Sequence, residues 1–366
     1  MRTGSRRQFI RRSTAALVAA PFISTSVTRA LARESQPKLG WALCGLGSLS
    51  EKQIAPALQK TQHARLAGIV TGTPEKAQRW RKQYDIPERN VYTYDTIAKL
   101  ADNPDIDVVY VVTPNALHAA QAIAAAKAGK HVFCEKPMAV SVDECQKMID
   151  AAKVAGRKLS VAYRCQFEPH HLECIRIARE KELGDLRVIE SNFGFPLGDP
   201  TQWRIKKKLS GGGALMDVGV YCLQATRYIS GEEPVLISAF ETKTDPAKFV
   251  DVDETMTFQL TFPSGVLGNC STSFNAAGMG RVRAHTQRGW FGLDPAFNYG
   301  GIKGARSDGK PLEKPVVDHF AAEIDDFSQC IIEKRASKVP GEEGLRDIRI
   351  MMAIYESART GKAVKV

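Results

Sequence analysis

The first 32 residues contain no aspartate or glutamate, yet they hold six arginines. Ser5-Arg6-Arg7-Gln8-Phe9-Ile10 leads into a mildly apolar run from Ala15 to Val27. The run ends at Ala30-Leu31-Ala32, a small-x-small cleavage signal. We read residues 1–32 as a twin-arginine signal peptide and expect export to the periplasm in the folded state. Without those six arginines the net charge falls from +11 to +5. Most of the basicity is therefore an address, which argues against nucleic-acid binding. Long apolar runs are missing as well, since Ala15–Val27 is too short to span a membrane. No stable membrane insertion is expected, only transient contact with the export machinery.

Cysteine pairs at metal-ligand spacing are also absent. The eight cysteines are Cys44, Cys134, Cys145, Cys165, Cys174, Cys222, Cys270 and Cys330, with no CxxC among them. That argues against a metal site. An oxidising periplasm permits disulfides. A protein folded before export can nevertheless keep its thiols buried and reduced, so mostly free core cysteines are expected. Internal repeats are lacking, and so are low-complexity segments beyond the leader.

About 334 residues remain after the leader, enough for two domains with an ample core. Leu39–Cys44, Ala64–Val70, Val91–Tyr94, Val108–Val112, His131–Cys134 and Leu159–Tyr163 read as apolar strands. Helical stretches such as Asn115–Ala128 lie between most of them, and Ser141-Val142-Asp143-Glu144 opens another as a capping box. This alternation predicts a doubly wound parallel sheet over residues 33–160. Later, Met256, Phe258, Leu260 and Phe262 alternate with Thr257, Gln259 and Thr261, a strand with one buried face. Leu186–Phe195, Val235–Thr242, Val266–Phe274 and Arg281–Arg288 look similar, and Asp318–Ile332 and Gly344–Arg359 read as helices. The fold class is α/β: a nucleotide-binding domain, then an α+β domain over 161–366 with an open, largely antiparallel sheet. The second domain is expected to hold substrate and to make the oligomer.

The first strand runs into Gly45-Leu46-Gly47-Ser48-Leu49-Ser50. The first glycine permits the tight turn, and the second lets backbone approach a pyrophosphate at a helix N-terminus. The third position of the fingerprint is Ser50, so the motif is imperfect. The second strand ends Val70-Thr71-Gly72-Thr73, with Lys76 following. An acid there would hold a ribose 2′-hydroxyl; none is present, and hydroxyls with a cation suit a 2′-phosphate. NADP is thus favoured over NAD, unless Lys76 and Arg79 merely form a solvated helix face. Thr113 and Asn115 end the fourth strand at the ligand crevice, and His118 either lines that crevice or is a satisfied structural histidine.

Glu135-Lys136-Pro137 follows the fifth strand, and the proline holds Lys136 in extended or turn geometry. A lysine there can orient a sugar hydroxyl and lower the pKa of a neighbouring phenol. Its bland counterpart is a surface lysine. Gly211-Gly212-Gly213 leads into a helix, Ala214–Ile229, on which Asp217 and Tyr221 share one face. Near Lys136, Tyr221 can accept and return a proton; Asp217 can bind a hydroxyl or position the lysine. On spacing alone, a satisfied acid and a half-buried tyrosine are the better reading. Trp203 and Arg204 can pack on a nicotinamide or a sugar face, whereas Lys206-Lys207-Lys208 reads as a solvated run.

Taken together, these motifs resemble the glucose–fructose oxidoreductase/inositol dehydrogenase family across the whole chain after the leader. Glu135-Lys136-Pro137 is the most specific mark. Many members carry histidine as acid/base on the later helix; this chain reads Asp217-Val218-Gly219-Val220-Tyr221. Tyrosine there is similar to the periplasmic, NADP-retaining branch, as are Tyr163-Arg164-Cys165, Gln202-Trp203-Arg204, Gly231-Glu232-Glu233-Pro234 and Pro340-Gly341-Glu342-Glu343-Gly344. The resemblance implies Lys136, Asp217 and Tyr221 as catalytic. It implies Gly45, Gly47, Ser48, Leu49, Thr71, Gly72, Lys76, Thr113, Asn115, His118, Glu135, Lys136, Arg164, Trp203, Arg204 and Tyr299 as the NADP(H) site. It further implies an aldose oxidised at C1 to a lactone, a second sugar reduced, and one tightly bound NADP(H) serving both. Members of that branch have a long N-terminal arm that clasps a neighbour, but only Arg33–Lys38 precede the first strand here. A homodimer through the β-sheet face is expected instead. A freely exchanging NADP-dependent dehydrogenase, an NAD-dependent glycosidase of the same fold and a non-catalytic NADP-binding protein remain as alternatives.

Overall fold

Six apolar runs pair side by side in one parallel sheet, in the order β3-β2-β1-β4-β5-β6. The computed structural model describes residues 38–366; the leader and the stretch Arg33–Pro37 lie outside them. The strands are β1 (Leu39–Cys44), β2 (Ala64–Val70), β3 (Val91–Tyr92), β4 (Val108–Val111), β5 (His131–Cys134) and β6 (Leu159–Val161). The helices of this half are α1 (Ala55–Leu58), α2 (Pro74–Tyr84), α3 (His118–Lys127) and α4 (Val142–Val154). Burial on both faces explains the uninterrupted apolar strands. Along β1, Ala42 and Cys44 join the core beneath α3 and α4, while Trp41 and Leu43 join a second cluster on the opposite side. β3 stops at Tyr92 rather than Tyr94, because the Thr93 and Thr96 side chains close a capping box that starts a helical turn. At α4 the Ser141 hydroxyl accepts from the Glu144 N–H at 3.2 Å, but the Glu144 carboxylate reaches the Val140 N–H instead of closing the box on Ser141.

The second half begins with α5 (Pro169–Arg179) and β7 (Leu186–Gly194). It continues through α6 (Lys207–Ser210), α7 (Val220–Ser230), β8 (Leu236–Thr242), β9 (Thr255–Thr261), β10 (Leu267–Ser273) and β11 (Met279–Thr286). Last come β12 (Gly289–Leu293), β13 (Gly304–Arg306), α8 (His319–Ile332), α9 (Gly341–Thr360) and β14 (Val364–Lys365). The eight strands form one sheet in the order β13-β12-β11-β7-β10-β9-β8-β14, antiparallel except for the β7–β10 pair. In β9, Met256, Phe258 and Leu260 are buried and Thr257 and Gln259 exposed, as their alternation requires. α7 and α9 cover one face. The other carries exposed Phe240, Gln259 and Asn269.

Two late segments return to the first sheet. Phe320, Ile324 and Phe327 of α8 pack with Trp41 and Phe133, and the Asp325 carboxylate accepts from the His63 N–H at 2.8 Å. Before α9, Val339 accepts from the Val161 N–H at 3.0 Å. A single core therefore runs from Val109 and Val132 through Ile348 and Met351 to Ile237 and Phe258. Arg227, buried on α7, is the polar hub of this joint: it donates to Glu233 at 2.7 Å, Asp347 at 2.6 Å and Glu343 at 3.2 Å. The Gly231–Pro234 and Pro340–Gly344 segments thus meet around one guanidinium. All eight cysteines are free and buried. Among the described residues, no helix is long and apolar enough to cross a membrane.

Candidate functional site

The carboxyl ends of the β1, β4 and β5 strands open into a cavity of about 870 Å³, within the range of about 300–1,000 Å³ typical of ligand pockets. The glycine turn forms part of its wall. Gly45 has φ +101°, and a Cβ there would lie 2.6 Å from the Val112 carbonyl oxygen, so only glycine fits. At Gly47 a Cβ would meet nothing within 4 Å, which leaves backbone open to a ligand. Ser50, the imperfect fingerprint position, is fully buried and donates its hydroxyl to the Gly45 carbonyl at 2.6 Å, tying the turn to the helix that follows. Lys76 donates to the Leu46 carbonyl at 3.1 Å, with its ammonium beside the turn. Arg79 instead pairs with Glu51 on the exposed face of α2. The basic face divides accordingly: one cation for the cavity, one for solvent.

Gly45, Gly47, Ser48, Leu49, Thr71, Lys76, Thr113, Asn115, His118, Glu135, Lys136, Arg164, Trp203, Arg204, Asp217, Tyr221 and Tyr299 all line this cavity. Gly72 does not; it lies against the Tyr94 ring, and its neighbour Thr73 lines the cavity instead. His118 is buried, its Nδ1 3.0 Å from the Pro137 carbonyl and its Nε2 2.8 Å from the Thr113 carbonyl. Burial lowers its pKa despite those two acceptors. It stands between the end of β4 and the Lys136–Pro137 loop, whose peptide is cis, and in its neutral form donates to one of the two carbonyls. The Asn115 amide donates to the Ser210 carbonyl at 2.9 Å. Lys206, Lys207 and Lys208 are exposed.

The catalytic candidates converge. Lys136 Nζ donates to the Asp217 carbonyl at 2.7 Å and lies 3.4 Å from Asp217 Oδ1. Arg204 Nε reaches Asp217 Oδ2 at 2.8 Å, while its guanidinium stacks over Trp203. Burial raises the pKa of Asp217, but Lys136 and Arg204 outweigh it and hold the carboxyl below its usual value. Lys136 Nζ also sits 4.8 Å from the Tyr221 ring centroid. The Tyr221 hydroxyl, however, is held by Arg164 Nε at 3.2 Å. Burial pushes this phenol up; Arg164 is the leading influence pulling it down. Lys136 therefore meets the phenol over its ring, while the hydrogen bond to the hydroxyl comes from Arg164. Beneath them, Glu135 accepts from the Tyr110 hydroxyl at 2.7 Å and from the Lys136 N–H at 3.2 Å.

The helix bearing Asp217 and Tyr221 is wider than expected at its start: residues Leu215–Gly219 form a π-helical turn before α7, a feature common at functional sites. Asp253, buried and unnoticed in the sequence, fastens it. Its carboxylate accepts from the Gly213 N–H at 2.6 Å, the Leu215 N–H at 2.7 Å and the Tyr355 hydroxyl at 2.7 Å. A Cβ at Gly213 would lie 1.9 Å from the Asp253 carbonyl oxygen, so glycine is required for that approach. No local pattern announces Asp253; its partners stand about 40 and 100 positions away. Phe193, Phe297 and Phe320 complete the apolar wall and were also missed, since they come from β7, a loop and α8, far apart in the chain.

Residues 39–163 match an oxidoreductase family described by its NAD-binding Rossmann fold, residues 171–292 a GFO/IDH/MocA C-terminal domain, and residues 298–366 the C-terminal α/β domain of that oxidoreductase family. A D-xylose 1-dehydrogenase (NADP(+)) of Haloferax volcanii is 30% identical over 333 residues, covering 89% of this chain and 99% of the relative. Another, from Haloarcula marismortui, is 29% identical, covering 89% and 92%. The crystal structure of an aldose-aldose oxidoreductase from Caulobacter crescentus, complexed with glycerol, superposes with a TM-score of 0.86 at 43% identity. That match covers 90% of this chain and 100% of the other. With the turn, the lysine loop and the Asp217–Tyr221 helix around one cavity, this chain belongs to the GFO/IDH/MocA oxidoreductase family.

Proposed function

We propose that this chain is an NADP(H)-dependent sugar oxidoreductase. It oxidises an aldose at C1 to a lactone and reduces a second sugar, aldose or ketose, in a ping-pong cycle on a tightly held cofactor. The observation that carries this reading is the meeting of Lys136, Asp217 and Tyr221 in the cavity that also holds the glycine turn. The names of the sugar-oxidising relatives support the substrate class.

The cavity residues fit the cofactor. The turn at Gly45–Gly47 offers backbone to a pyrophosphate, and Lys76 with Thr71 and Thr73 suits a 2′-phosphate. When bound, the nicotinamide supplies the hydride acceptor and donor. Lys136, fixed by Asp217, orients the sugar hydroxyls, and Tyr221 takes the C1 hydroxyl proton as the C1 hydrogen departs. Tyr221 returns that proton when the second sugar is reduced. The Phe193, Phe297 and Phe320 wall keeps water from the reacting carbon.

Purified protein is tested by recording its reduced-nicotinamide absorbance and adding sugars one at a time. The band should rise with the donor and fall with the acceptor. Near-normal turnover by Tyr221→Phe would remove the acid/base assignment. The xylose dehydrogenase relatives favour a second reading, a freely exchanging cofactor; protein that loses its nicotinamide on dialysis supports that reading instead. Export in the folded state rests on Arg6-Arg7 and is checked by replacing both with lysine, which should leave the protein in the cytoplasm. A homodimer through the outer face of the second sheet rests on Phe240, 71% exposed in a depression of about 480 Å³. Phe240→Glu should then yield monomers in sedimentation.

A further inference from the structure

Among the described residues, Arg164 is a buried cation without an ion pair. It is 3% exposed, and no carboxylate oxygen stands within 4.0 Å of its guanidinium. Two further donors go to neutral oxygens: Nη2 to the Phe297 carbonyl at 2.6 Å and Nη1 to the Asn298 carbonyl at 3.3 Å. Stacking between Tyr221 and Tyr299, with each ring centroid 4.9 Å from Cζ, fixes the plane. An isolated buried charge of this kind is costly, and here it is aimed by Nε at one oxygen, the Tyr221 hydroxyl. Burial raises the pKa of two nearby acids, Glu135 and Glu323.

We propose that Arg164 is a further catalytic residue, which donates to Tyr221 Oη and stabilises the phenolate that accepts the sugar's C1 hydroxyl proton. This deepens the function proposed above and rests on Tyr221 being the acid/base. The balance is simple. The C1–H hydride goes to oxidised nicotinamide, and the hydroxyl proton goes to the phenolate oxygen. Arg164 keeps all its protons, since guanidinium does not titrate in this range. Its bond to Tyr221 strengthens as negative charge gathers on the oxygen and weakens when the phenol is neutral. That difference, not binding as such, accelerates the proton step. Burial opposes the phenolate, and Arg164 leads the opposing influences. Lys136 is left to hold the sugar and Asp217.

The test uses the cofactor-loaded protein and its single-turnover reduction by an aldose that the wild type oxidises, followed across pH. Arg164→Met keeps length and removes charge. Its rising limb should move up by about one to two pH units, an ion's typical effect on a neighbouring acid. The neutral-pH rate should accordingly fall about ten- to a hundred-fold. Arg164→Lys should recover part of that displacement, and it decides the matter if the Met variant does not fold. A direct tyrosinate absorbance titration, with Tyr221→Phe as blank, should move in parallel. A slower Arg164→Met with the wild-type midpoint in both measurements would overturn the proposal and leave only a structural role. Full activity of Tyr221→Phe would instead remove the underlying acid/base reading, so the two failures are separable.

Discussion

Asp253→Ala should damage stability and catalysis together. The carboxylate is 2% exposed and accepts three bonds, from the N–H groups of Gly213 and Leu215 and from the Tyr355 hydroxyl. Alanine strands three buried donors at once. Each costs about 1–3 kcal/mol when left unmet. Relaxation of the Tyr355 ring relieves some of this, so a loss of about 3–5 kcal/mol is expected. The Tyr355→Phe variant drops one bond and removes its donor, and it should cost only about 1 kcal/mol. The functional consequence follows from position: Gly213 and Leu215 begin the π-helical turn that sets Asp217 against Lys136 and Tyr221 below Arg164. A displacement there of about 1 Å is worth about a hundred-fold in rate. Urea unfolding of the apoprotein gives the first quantity, and sugar-driven nicotinamide absorbance in folded variant gives the second. An Asp253→Ala protein with wild-type unfolding midpoint and wild-type turnover would refute the claim that this carboxylate holds the catalytic turn.

Three further outcomes are expected. Lys76→Ala should weaken NADP binding about ten-fold, or ~1.4 kcal/mol, while NAD binding changes little; equal losses in fluorescence titrations of both cofactors would mean that Lys76 does not meet a 2′-phosphate. Glu323 is fully buried with both carboxylate oxygens unpartnered, and burial raises its pKa well above the usual 4.5. As pH climbs past the unfolded value, the unfolded chain ionises while the native acid stays neutral. Stability is therefore lost with rising pH, at about 1.4 kcal/mol per unit, until the folded value is passed. Glu323→Gln removes this term, so its advantage over the wild type should grow with pH in thermal scans; parallel curves would count against the assignment. Arg227→Met leaves Asp347, 1% exposed, without its cation and should cost about 3–5 kcal/mol in urea unfolding.

Elements whose signals are local could be read from the chain alone. Apolar, β-branched runs can be buried on both faces, so β1 to β6 were legible within a residue or two. The alternation from Met256 to Phe262 was legible for the complementary reason, one wet face. Gly45 announced its turn because a positive φ admits few other residues, and Lys136, Asp217 and Tyr221 could be named from motifs. The short strands β13 and β14 carried too few residues for periodicity to register, and β12 and α5 were passed over. Packing of distant segments settled which polar groups meet. Asp253 finds Gly213 and Tyr355, Arg227 gathers Glu233, Glu343 and Asp347, and Arg164 rather than Lys136 takes the Tyr221 hydroxyl. Periodicity and capping act over a turn or two of chain, whereas a buried charge is satisfied by whatever the packed core brings within about 3 Å of it.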